Sequence, residues 1–119
     1  MQVELEQQQD VCIVHFRGRM VSGADTEYLG SKGEEIRKTN CRKVLIDFRE
    51  VPFVGSTGIG FLVGLYTSVT KAPEGRFVLA GANLRVREVL DLTRLSSILP
   101  LADSVEAGME QLAARDASA

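Results

Sequence analysis

Three features of the chain predict an α/β fold: a polar–apolar alternation at its start, compact apolar segments at 43–48 and 76–80, and helical spacing of apolar residues between and after them. Segments as long as a helix separate the later strands, so tight hairpins cannot join them. Strand 43–48 is therefore expected to run parallel to a neighbour, as in α/β sheets. A chain of 119 residues suffices for one domain with a single core.

The elements follow in order. Val3 and Leu5 alternate with Gln2, Glu4 and Glu6, which predicts a strand with one wet face ending at the polar run 7–10. Residues 11–16 are richer in apolar and β-branched types and form the second, more central arm of a hairpin that stops at Arg17-Gly18. Asp25 and Thr26 supply capping chemistry for a first helix, with Tyr28, Leu29, Lys32 and Ile36 on its inner side and an end near Thr39 and Asn40. The buried strand 43–48 closes on the charged run 47–50. From Ser56, the residues Ile59, Leu62, Leu65, Tyr66 and Val69 recur at helical spacing and stop before Pro73. Gly58, Gly60 and Gly64 interrupt that helix; each interior glycine costs roughly 1 kcal/mol relative to alanine, and close approach of the sheet or of a partner protein is the usual reason.

Residues 76–80 form a further strand, 81–83 break it, and Leu84, Val86, Val89 and Leu90 continue as a third helix ending at 92–95. Residues 97–101 are expected to make a short edge strand, where proline is tolerated, and Ser104 caps a last helix through Val105, Met109 and Leu112. The ordered core is placed at 1–112, and the tail 113–119 is expected to fray.

Composition narrows the function. A net charge of -2 with scattered Lys and Arg gives no basic footprint for nucleic acid or anionic lipid. No apolar run approaches the roughly 20 residues of a membrane span, and the start lacks a secretory signal, so membrane insertion is not expected and a cytoplasmic location is. Cys12 and Cys41 are far apart in sequence and form no CxxC, so each is expected to be a separate thiol. The single histidine, His15, has no metal-type partners nearby in sequence and is expected on a partly exposed strand face. The acids Asp47 and Glu50, like Glu34 and Glu35, are expected to be solvated rather than catalytic. No nucleophile, base and orienting group come together in the sequence, and no enzymatic activity, metal or cofactor is predicted.

The most informative stretch is 44–62: a buried strand, a short connection, and Ser56-Thr57 where a helix begins. Helix capping is the simplest use of such a hydroxyl pair. A serine there also sits beside unpaired N–H groups and the positive end of a helix dipole, so it can carry a phosphate with little strain. The run 55–60 is not a nucleotide loop, because its glycines lack the G-x-G-x-x-G spacing and no Gly-Lys-Ser or Gly-Lys-Thr follows.

Taken with Val51-Pro52-Phe53-Val54 and Ser56-Thr57-Gly58-Ile59-Gly60, this stretch resembles the signature of the STAS domain family, which includes anti-sigma-factor antagonists. Arg17-Gly18 after the second strand and Val89-Leu90-Asp91-Leu92-Thr93-Arg94-Leu95 after the third helix extend the resemblance over essentially the whole chain. It implies one STAS-like domain over 1–119: α/β, with a mixed sheet of four to five strands and about four helices mostly on one face. It also implies that Ser56 is phosphorylated by a partner serine kinase that is itself an anti-sigma factor, and that the unmodified protein sequesters that partner. Gly55, Thr57 and Gly58 would shape the site; Met20, Val21 and Ser22 with Gly60 and Gly64 would meet the partner; the protein would be a monomer or weak dimer. Gly55 stands where the family usually has an aspartate, and Val21 where many members have another acid. Those two departures favour an alternative, a scaffold STAS subunit of a signalling complex or lipid-transport ATPase in which nothing is phosphorylated.

Overall fold

A computed structural model describes residues 2–19, 25–39 and 41–117. Its elements are β1 (Gln2–Gln8), β2 (Val11–Arg17), α1 (Asp25–Lys38), β3 (Lys43–Glu50), α2 (Ser56–Thr70), β4 (Arg76–Ala80), α3 (Leu84–Leu92), a 3-10 turn (Leu95–Ser97), β5 (Leu101–Ala102) and α4 (Val105–Ala117). The five strands lie in the order β1-β2-β3-β4-β5. Only β1–β2 is antiparallel; the three other pairings are parallel, as the helix-length connections require.

The two faces of the sheet are covered unequally. Val14 and Phe16 on β2, Val44, Ile46 and Phe48 on β3, and Phe77 and Leu79 on β4 meet Leu29 and Ile36 of α1, Leu62 and Leu65 of α2, and Val86 and Leu90 of α3. On the other face Val11, Ile13, Leu45, Val78 and Ala80 meet Leu112 of α4. This explains why Val44 to Phe48 are buried without a break: a strand covered on both sides gains from apolar Val44, Leu45, Ile46 and Phe48 alike, at about 1.5–3 kcal/mol for each large side chain fully buried, with Asp47 the one polar residue in the run. α4 lies close to the sheet at Gly108, where an added Cβ would come within 2.9 Å of Leu45 Cδ1.

Local chemistry fixes the helix ends. Asn83 caps α3, its side-chain oxygen accepting from Val86 N–H at 2.8 Å. Ser104 caps α4 through Ala107 N–H at 3.0 Å. Beyond α3 the expected edge strand is shorter than its sequence suggested. Arg94 takes a left-handed φ of 62°, Leu95–Ser97 winds into a 3-10 turn, and Ile98 and Leu99 donate back to Leu95 O. Pairing begins only when Pro100 O accepts from Leu79 N–H, which leaves a strand of two residues.

The expectation of two separate thiols is also corrected. Cys12 and Cys41 are joined as a disulfide, with Cα atoms 5.9 Å apart. The parallel register sets Cys12 beside Val44, and Cys41 arrives immediately before β3, so the topology closes a gap that sequence separation made look wide.

Candidate functional site

The site is built where β3 hands over to α2. Val51 and Val54 are buried and anchor the connection, and the Asn83 amide donates to Val51 O at 3.4 Å and Pro52 O at 3.3 Å. Gly55 is the N-cap residue, in extended geometry with φ −105°, and no side chain caps the helix. The first helical bond runs from Ile59 N–H to Gly55 O at 3.0 Å, so the N–H groups of Ser56, Thr57 and Gly58 have no partner within the helix. No acidic residue lies in the first turn, which leaves the positive end of the dipole uncompensated by the helix's own side chains.

Capping, the simplest explanation of Ser56 from sequence, does not hold. Ser56 is the first residue of the helix rather than its cap, its side chain is exposed, and no hydrogen bond among the described residues engages its hydroxyl. Thr57 is half-buried and Gly58 is buried in the turn beneath.

Ser56 opens onto a cleft of about 480 Å³ between α1 and α2. Thr26, Leu29 and Gly30 form one wall; Ser56, Thr57, Gly60 and Phe61 form the other. A narrower groove continues along the helix pair past Gly33 and Gly64. Among the described residues no titratable side chain lines the cleft, so it offers hydroxyls and apolar surface but no general base. Gly60 and Gly64 are both exposed, and a Cβ built on either meets no atom of the described residues beyond the helix's own backbone within 4 Å. The sheet is thus not the neighbour that explains these two glycines. Met20, Val21 and Ser22 lie outside the described residues. Sequence reading missed the α1 wall; Gly30 and Gly33, two interior glycines one helical turn apart, were the available signal.

The other polar cluster lies on the face of the sheet that α4 shares. His15 Nδ1 is 2.6 Å from Asp47 Oδ2 and its Nε2 is 2.7 Å from Glu6 Oε1. Asp47 is buried rather than solvated as expected, because Arg49 folds back on it: Nε donates to Oδ1 at 3.0 Å, Nη2 to Oδ2 at 2.9 Å, and the Arg49 N–H to Oδ1 at 3.0 Å. Burial alone would raise the Asp47 pKa, but the Arg49 and His15 hydrogen bonds outweigh it and hold the carboxyl below its usual range. Among the described residues no group of three or more His, Cys, Asp or Glu is placed to hold a metal ion, and no helix is long and apolar enough to cross a membrane.

Fold and site together describe an α/β domain with an open cleft that, among the described residues, is lined by hydroxyls and apolar side chains beside an unengaged Ser56 hydroxyl. The family model of the STAS domain matches residues 2–108, and the chain belongs to that family. It is 24% identical over 104 residues to the anti-sigma F factor antagonist of Paenibacillus polymyxa, covering 87% of this chain and 88% of the relative. Its fold matches the crystal structure of an anti-sigma factor antagonist from Mycobacterium paratuberculosis with a TM-score of 0.84 at 20% identity, over 93% of this chain and 92% of that one. It also matches the phosphorylated form of the Bacillus cell fate determinant SpoIIAA, with a TM-score of 0.69 at 18% identity over 93% and 99% of the two chains.

Proposed function

We propose that this protein is an anti-sigma-factor antagonist whose docking to a cognate anti-sigma factor with serine-kinase activity is switched off by phosphorylation of Ser56. The observation that carries this reading is the state of the Ser56 hydroxyl: exposed, free of hydrogen bonds among the described residues, and set beside three unpaired N–H groups with no acid in the turn. In the transfer, the partner supplies the nucleotide and the base. The Ser56 oxygen forms a bond to the terminal phosphorus of ATP, the bond to the bridging oxygen breaks, and the hydroxyl proton passes to the partner's base. The protein itself acts as substrate and ligand, not as an enzyme.

The added phosphate carries about −1.5 to −2 charge, which the helix N-terminus accommodates while an apolar interface would not. Docking through the α1–α2 cleft follows from the same site, because Gly60 and Gly64 keep the α2 surface low enough for a partner backbone to approach. The likeness to the anti-sigma F factor antagonist of Paenibacillus polymyxa and to the phosphorylated form of the Bacillus protein supports the reading.

The test combines the purified protein, ATP and candidate serine kinases of the anti-sigma type from the same organism, with intact-mass readout. One phosphate per chain, absent from Ser56→Ala, together with loss of the complex on phosphorylation, is the expected result. A stable complex that never acquires phosphate sinks the switch and leaves the scaffold role, for which Gly55 in place of an acid is the supporting feature.

A further inference from the structure

We propose that Cys12 and Cys41 are a reversible dithiol–disulfide pair that pins the C-terminal end of α1 to the sheet, so that the thiol–disulfide balance of the surroundings sets how firmly one wall of the cleft is held. The pairing stands on backbone geometry: the Cα separation of 5.9 Å lies within the roughly 4.4–6.8 Å span of disulfides. Thr39 presets it. Its hydroxyl donates to Ile36 O at 2.6 Å and accepts from the Cys41 N–H at 3.3 Å, which turns the chain at the end of α1 so that Cys41 faces β2.

α1 is the helix for which such a tie matters. It buries only Leu29 and Ile36 among its hydrophobic side chains, and it carries two interior glycines, Gly30 and Gly33, each costing about 1 kcal/mol of helix stability. Its N-terminal half has a separate anchor, the Tyr28 hydroxyl accepting from Val3 N–H at 3.0 Å. The disulfide anchors the other half. The covalent ring, with a sequence separation of 29, contains the whole of α1, including Thr26, Leu29 and Gly30 on the cleft wall.

The two sulfurs differ in access, which orders the chemistry. Cys12 is 3% exposed, whereas Cys41 is only half-buried. A small disulfide such as oxidised glutathione is therefore attacked by the Cys41 thiolate. A mixed disulfide forms and one glutathione thiolate leaves. Cys12, as thiolate, then attacks the Cys41 sulfur, closing the ring and releasing the second glutathione. In total the protein dithiol is oxidised and one glutathione disulfide is reduced to two thiols, and a dithiol reductant reverses both steps.

The full-length protein is equilibrated across ratios of reduced to oxidised glutathione, quenched by alkylation and read by intact mass and peptide mapping. A single intramolecular Cys12–Cys41 bond that dithiothreitol opens in the native protein is expected. Hydrogen exchange of α1 amides should then accelerate about tenfold or more on reduction, with the largest change in the molecule falling on that helix. Cys41→Ser, at the more accessible position, should exchange like the reduced protein and ignore the redox buffer; Cys12→Ala should also exchange like the reduced protein but stop at a glutathione adduct on Cys41 at oxidising ratios. In the unsubstituted protein, free thiols throughout the series, a glutathione adduct that never closes, a bond that resists native reduction, or equal α1 exchange in both states would each overturn the proposal. It does not depend on whether Ser56 is phosphorylated.

Discussion

His15 Nδ1 lies 2.6 Å from Asp47 Oδ2, across the parallel pair of β2 and β3. The second ring nitrogen lies 2.7 Å from Glu6 on β1, so one imidazole ties three strands together. Only the doubly protonated ring donates to both carboxylates. Burial by itself would lower the His15 pKa, but the hydrogen bonds to Glu6 and Asp47 outweigh it and raise the pKa above the ordinary 6.5. A pKa raised on folding gives stability that is complete below the unfolded value and is lost as pH climbs through the folded one. The urea midpoint should thus fall as pH rises from about 6.5, and His15→Gln should flatten that part of the profile. As the chain has one histidine, its NMR titration reads the group directly, with an inflection above 6.5 expected.

Asp47 makes the opposite contribution at acid pH. Its lowered pKa stabilises the fold above the ordinary carboxylate value, and that stability is lost as pH falls through the folded value. Asp47→Asn removes the charge that holds Arg49 and His15, and about 1–3 kcal/mol of stability should go with it, read from denaturant unfolding near neutral pH. The variant should also return the His15 titration toward 6.5, which a general loss of stability would not do.

Ser56→Ala is expected to leave stability within about 0.5 kcal/mol, because the side chain is exposed and its hydroxyl engages no group among the described residues. Had Ser56 been a cap, the same change would cost about 1 kcal/mol. Thermal unfolding separates the two, and Ser56→Glu should lower affinity for the proposed anti-sigma partner while leaving the fold intact.

The strands, the helices and the place of Ser56 at the start of α2 were legible because their signals are local: apolar period, break residues, and a hydroxyl after a buried strand. What was not legible depends on which strands become neighbours. Cys12 and Cys41 meet because β2 and β3 pair in parallel, and the same pairing brings His15 onto Asp47. Neither fact is present in either segment alone. The 97–101 segment failed for a different reason: a left-handed Arg94 and two hydrogen bonds to Leu95 O outcompete strand pairing until Pro100.

Gly81 is one of the glycines that the fold itself needs. Its φ is +76°, and an added Cβ would stand 2.6 Å from Arg49 Cγ, so Gly81→Ala combines backbone strain with a clash. A loss of about 1–3 kcal/mol is expected, measured by denaturant unfolding.

Gly60 and Gly64 should answer the same substitution with the opposite sign. Both lie inside α2, both have ordinary helical backbone, and a Cβ on either points into open space. Alanine then restores helix propensity with nothing to displace, and each change should stabilise the isolated protein by up to about 1 kcal/mol. If these glycines are kept low for a docking backbone, the stabilised variants should at the same time bind the anti-sigma partner more weakly, by about tenfold or more for a lost close contact at the interface centre. Unfolding curves and binding titrations on the same two variants decide it. Stability raised with affinity unchanged would remove the α2 surface from the interface and leave the docking role to the Ser56 end of the cleft.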